Sequence, residues 1–162
     1  MSFSLQTRVV RRVGWAGALS LAPYATIKTY WACGGRAGMP PEWEMVAEFR
    51  KNGAPSAVIW MERHGLDFTA LLAAVGAVLV LALAWDWGRR LPSLSLLIPA
   101  WSGAVFFVPY GLLAAVFALA GGSADDGPSL TPWIAVAGVL AFCGVGGSLG
   151  VCAWSYRRRT HP

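Results

Sequence analysis

The sequence predicts an all-α polytopic membrane protein. It has four transmembrane helices arranged as two parallel two-helix repeats, with a short helix in the first outer loop. Three observations predict this. Charged residues make up only 13% of the 162-residue chain, against 56% apolar residues and 9 tryptophans, whereas soluble domains average about 25% charged residues. Four long apolar stretches are bordered by arginines. The first pair of stretches also shares a residue pattern with the second. The length suits one membrane domain, residues 1–162, with repeat units at about 13–92 and 93–162.

Segment one runs from about Val13 to Cys33. About 20 helical residues, at 1.5 Å each, cover a hydrocarbon core of about 30 Å. A cleaved signal peptide is the rival reading. The run is long for one, it contains Lys28, and no A-x-A site follows, so a retained helix is expected. Segment two, about Phe68 to Trp87, has an uncharged core and is the clearest span. Segment three, about Leu94 to Ala120, is interrupted by Pro99 and Pro109. Proline removes a helix hydrogen bond and kinks the helix, so a tilted or bent helix is expected rather than two half-helices. Segment four, about Trp133 to Trp154, is rich in glycine. Gly146 and Gly150 form G-x-x-x-G, and Gly144, Ser148 and Cys152 form a second row of small residues. Helices in lipid associate by close packing, so these rows read as packing faces inside the bundle, with a dimer interface as the alternative.

The formal charge of +5 would suit nucleic acid, but its placement does not. Arg8, Arg11 and Arg12, then Arg89 and Arg90, then Arg157, Arg158 and Arg159 each border an apolar segment. That is the positive-inside pattern, and such residues also meet anionic headgroups. The 121–132 loop has no Lys or Arg. Both termini and the 88–92 loop are therefore expected in the cytoplasm, and 34–66 and 121–132 outside, in a multi-pass protein of the cell membrane. The 34–66 loop carries Arg36, Arg50, Lys51 and Arg63 mixed with acidic residues, and it is the exception to the pattern. Trp15, Trp31, Trp85, Trp87, Trp101, Trp133 and Trp154 lie near predicted ends, as an interfacial aromatic belt does. The expected partner is the lipid bilayer, joined by a membrane-protein partner or a second copy of the chain, and no nucleic acid.

Segments one and three match at an offset of 86 residues. Trp15-x-Gly17-Ala18 and Pro23-Tyr24 recur as Trp101-x-Gly103-Ala104 and Pro109-Tyr110. Segments two and four end alike at an offset of 69, with Trp85-x-Trp87-x-Arg89-Arg90 matched by Trp154-x-Tyr156-x-Arg158-Arg159. Two units of one membrane direction form a parallel repeat. The run from Pro23 to Gly35, W-G-R-R-L-P at Trp87 to Pro92 and P-A-W-x-G at Pro99 to Gly103 together resemble an uncharacterised family of multi-pass integral membrane proteins of high-GC Gram-positive, actinomycete-type bacteria. The resemblance covers most of 13–120 and implies topology only. In the second unit Ala114 stands in the place of Lys28.

Lys28 is the first candidate functional residue. It lies about five residues, roughly 7 Å, from the middle of segment one. A charge at that depth either snorkels or pairs structurally, or marks a ligand or ion path. Glu62 or Asp67 is its expected partner, and Tyr24 lies one turn away on the same face. The outer loop reads as a helix from Pro40 to Lys51, with Pro41, Glu42 and Glu44 at its start and Gly53 at its end. Ser56 to Met61 is a second short apolar stretch. The two are expected to rest on the bundle as a lid, or else to bind a partner.

Tyr30, Glu62, His64 and Asp67 form a candidate outer-face cluster. Glu62, His64 and Asp67 make a weak metal motif, with no second histidine nearby, and Asp67 reads more simply as a helix N-cap. Asp86 beside Arg89 and Arg90 reads as a local ion pair. Cys33, Cys143 and Cys152 suggest neither a disulfide framework nor a metal site. The chain carries no phosphate-binding glycine loop, H-E-x-x-H or G-x-S-x-G. No catalytic residue, metal or cofactor is therefore expected. The sequence favours an accessory, protective or regulatory membrane protein. The alternatives are a small oligomeric transporter or channel, and a lipid-modifying enzyme built on the outer cluster.

Overall fold

The helices begin and end where local chemistry dictates. The computed structural model describes residues 3–39, 43–119 and 132–160. Their order is α1 (Phe3–Ser20), α2 (Ala22–Ala32), α3 (Met45–Lys51), α4 (Ser56–Arg63), α5 (Phe68–Ala84), a 3₁₀ turn (Asp86–Arg90), α6 (Ser93–Leu119) and α7 (Pro132–Thr160). The described residues contain no strand. Ser93–Val116 and Pro132–Thr160 are long and apolar enough to cross a membrane; α4 and α5, taken as one span bent by 95°, make a third.

Segment one starts ten residues earlier than expected and is broken. Its arginine-bearing start continues the helix because Val10 turns into the core while Arg11 reaches Asp86 at 3.1 Å. The break falls at Leu21. Pro23 has no N–H, and the Ser20 hydroxyl donates to the Gly17 carbonyl at 2.8 Å. Serine back-bonding of this kind bends helices, and the Leu21 amide closes a tighter bond to Ala18 O, at 3.3 Å. The counterpart of Ser20 in segment three is Phe106, which cannot compete for a carbonyl. α6 accordingly stays one helix through Pro99 and Pro109.

Segment two is shorter than expected. α5 stops at Ala84, and Trp85 is extended (φ −110, ψ 160). The 3₁₀ turn then brings Gly88 against the Ala82 carbonyl, where a Cβ would collide with backbone. α7 outruns its expected end by six residues. Arg157, Arg158 and Arg159 occupy its last turn, where cations suit the helix dipole. The Arg159 guanidinium donates to Leu83 O at 2.6 Å, and the Tyr156 hydroxyl donates to Gly88 O at 3.4 Å. The end of α7 thus satisfies a carbonyl that the C-terminus of α5 leaves open. Asp86 pairs with Arg11 as well as Arg89 (3.8 Å), so this ion pair is not purely local.

The loop helix also differs. It begins at Met45, and Glu44 is its extended N-cap residue; Pro41 and Glu42 lie outside the described residues, as do 121–131 and His161. Gly53 ends it with φ +70, a conformation that a Cβ disfavours. Ser56–Met61 lies within a second helix, α4, started by Pro55.

α7 is the hub: α6 and α1 pack along it, and α5 meets both α1 and α7. Its two rows of small residues divide the neighbours. Gly146 faces Phe107 and Val108, and Gly150 faces Ala104, all on α6; Gly144 faces Ser20 and Ser148 faces Gly17, both on α1. Val80, Leu83, Ala141, Val145, Leu149, Cys152, Ala153 and Tyr156 fill the core between them. Cys152 is buried and all three cysteines are free. On the outside, Leu72, Val75, Val105, Phe106, Leu113 and Val116 are more than half exposed.

Candidate binding site at the Lys28 end

At the end of the bundle opposite the arginines, α2 turns Lys28 inward. Its side chain is 16% exposed and its ammonium lies 3.9 Å from Asp67 Oδ2, whose side chain is 0% exposed. Two ring faces flank the cation, Tyr24 at 5.9 Å and Trp31 at 5.5 Å. Met45 Sδ, from α3, lies 3.9 Å away. Lys28 is thus held on three sides by side chains from α2, the head of α5 and the start of α3.

Asp67 caps α5, as its position before the apolar run suggests. Oδ1 accepts from the Ala70 amide at 2.7 Å and from the Thr69 hydroxyl. Oδ2 has no hydrogen-bond donor. Glu62, from α4, is 5% exposed, and neither of its carboxylate oxygens has a hydrogen-bond partner. α4 lies across the bundle end, bent 95° from α5, around Gly65 at φ +76. Burial, and then the neighbouring Asp67 carboxylate, push the Glu62 carboxyl up to about 7 against the pull of Lys28.

Beside this cluster a cavity of about 300 Å³ opens between α2, α6 and α7. Tyr24, Lys28, Trp31, Trp43, Tyr110 and Phe142 are among its lining residues, with Ala114, Ala137 and Gly138 leaving the space. Tyr24 and Tyr110 both pack on Phe142, with centroids at 5.6 and 4.8 Å. Trp43 leans edge-on against Trp31 at 6.0 Å. The wall is therefore aromatic, with one cation at its rim.

The outer cluster read from the sequence comes together only in part. Asp67 pairs with Lys28, and Glu62 lies buried near both. His64 turns away: its ring stacks on Trp60 at 4.2 Å, and Nδ1–H donates to Trp60 O at 2.7 Å. Tyr30 is 48% exposed, with its ring over Gly35. Among the described residues, no three of His, Cys, Asp and Glu are grouped to hold a metal ion. Trp43, Met45 and Phe142 were not legible as site residues. Tyr110 was read only as the repeat counterpart of Tyr24, not as a site residue. The chain matches no family model, curated protein or solved structure.

Proposed function

We propose that the chain is a four-span protein of a bacterial cell membrane, with both termini cytoplasmic, that serves as an accessory or regulatory component. It works by binding a membrane partner at the aromatic groove on its outer face. The observation that carries this reading is the groove beside Lys28: an aromatic recess with a cation held by the Asp67 carboxylate. Such a recess offers aromatic faces and one cation to a ligand.

The four-span topology is supported by the placement of charge. Arg11, Arg89 and Arg159 gather at one end, and Lys28, Glu62 and Asp67 at the other. α5, at 17 residues, rises about 25 Å, enough for most of a hydrocarbon core. Outward-facing Leu, Val and Phe side chains suit lipid. One contact supports the repeat: α1 packs on α5 as α6 packs on α7. The sequence resemblance implies the same multi-pass topology.

The test is purification of tagged protein from native membranes in mild detergent, with mass spectrometry of what accompanies it. A stoichiometric partner, lost in variants that fill the groove such as Ala114→Trp, supports the accessory reading. A second reading, transport by a homo-oligomer, is favoured by one observation: the repeat-related Tyr24 and Tyr110 flank one groove. A pure homo-oligomer whose flux disappears in Lys28→Met would establish it instead.

A further inference from the structure

Two buried carboxylates, Glu62 and Asp67, lie within the field of one cation at the junction of α2, α4 and α5, and only Asp67 pairs with it. Asp67 is used throughout as an acceptor, from Ala70 and Thr69 and toward Lys28. Glu62 is as deeply buried and accepts from nothing. Two carboxylates so placed cannot both be ionised without a large desolvation and repulsion cost. One ammonium at 3.9 Å from Asp67 offsets one charge, and the proton that relieves the second belongs on Glu62.

Among the described residues, Lys28 is the cation that acts on Glu62, and Arg50 and Lys51 at the end of α3 are exposed. α2 presents Lys28 and Tyr24, and the head of α5 presents Asp67. On α3, Glu48 is bonded to Asn52 of its own segment at 3.2 Å. On α4, Arg63 is exposed, and the His64 ring is taken up by Trp60. Among the described residues, Lys28 and Asp67 are the groups that act on Glu62 electrostatically.

The same junction holds the covering segment in place. α4 turns into α5 at Gly65, where φ is +76. α3 packs on α4, and its first residue, Met45, touches Lys28. Trp43, just before it, lines the groove and leans on Trp31. Moving Glu62 toward water moves α4, and with it the segment that lies over the groove.

We propose that Glu62 is a proton-binding site that latches the 43–66 segment as a lid: protonated, it lets the lid lie against the bundle, and ionised, it drives the lid off the groove. The proposal rests on the groove being the binding face. Acid conditions then close the site and alkaline conditions open it. The docked form binds the proton more tightly than the released form, so proton loss and lid release are one linked equilibrium.

The experiment uses the full chain in lipid nanodiscs, as native protein and as Glu62→Gln. Infrared difference spectra from about pH 5.5 to about pH 8.5 read the carboxylic-acid carbonyl band. Hydrogen exchange of peptides spanning 43–66, corrected for intrinsic rates, reads the lid over the same range. The expected result is an acid band in native protein that titrates near neutrality and is missing in Glu62→Gln. Lid protection should fall on the order of tenfold over that range in native protein, and stay high in the variant while α7 peptides are unchanged in both. No acid band at low pH, or lid exchange with the same pH profile in both proteins, overturns the proposal. If the variant fails to insert, the native band and lid profile decide alone. Partner capture at both pH values separates the two claims. A partner held at the groove with no titrating band removes the latch only, and a working latch with no partner removes the accessory reading only.

Discussion

Gly17→Ala tests how closely α1 approaches α7. A Cβ at position 17 would collide with both the Cβ and the Oγ of Ser148, and would reach Val80 Cγ1 at 3.4 Å. The obstruction at Ser148 begins at its Cβ, so rotating the hydroxyl does not relieve it, and the helices must part. Overpacking a close-packed interface costs about 1–3 kcal/mol. Ser148→Gly removes the obstructing atoms and, alone, costs about 0.5 kcal/mol through helix propensity. The double variant should therefore be more stable than the sum of the single variants predicts, with a coupling of about 1–2 kcal/mol. Reversible unfolding in bicelles by added SDS measures all four proteins. Gly147→Ala is the control, since a Cβ there meets nothing within 4 Å. A Gly17→Ala as favourable as Gly147→Ala, or strictly additive single variants, would refute the close-packing account of the α1–α7 contact.

Three further outcomes follow from the charged ends. Lys28→Met leaves buried Asp67 without its cation and should cost about 3 kcal/mol, less when Asp67→Asn is added; thermal unfolding of the purified protein checks it. Arg159→Ala loses the 2.6 Å bond to Leu83 O and should cost about 1.5–3 kcal/mol in the same assay, with Arg159→Lys recovering only part. The pH dependence has a definite sign. Glu62 binds its proton more tightly folded, at about 7, than at the ordinary carboxylate value of 4.5. Stability should therefore fall as pH rises from about 4.5 to about 7 and level off above, and Glu62→Gln should flatten that slope in unfolding midpoints collected across the range.

The apolar helices were legible because hydropathy is a property of the side chains alone, and α6 and α7 appear where it places them. Segment one was harder. Arg8, Arg11 and Arg12 read as a tail, yet the helix runs through them because Asp86, far along the chain, receives Arg11. The kink at Leu21 depends on Ser20 acting with Pro23, and proline alone did not mark it, as the continuous α6 makes plain. The 3₁₀ turn after α5 rests on Gly88 approaching Ala82, a tertiary contact with no local signal. At the site, the pairing of Lys28 with Asp67 was legible, because a lone charge in an apolar segment calls for a partner. The sequence placed His64 beside those residues, but helix geometry at the end of α4 sends its ring to Trp60. Trp43 and Met45 sit between helices without periodicity, so nothing local tied them to Lys28.

The account rests on the Lys28 end facing outward and the arginine end facing the cytoplasm. Cys33 is exposed just beyond α2, while Cys152 is buried. A membrane-impermeant maleimide applied to intact cells should label native Cys33, and Cys33→Ala should abolish that label. A cysteine introduced as Thr160→Cys into Cys33→Ala should label only after the cells are permeabilised. Cys33 reacting only after permeabilisation, or Thr160→Cys reacting on intact cells, would contradict the orientation on which the outer groove and its lid depend.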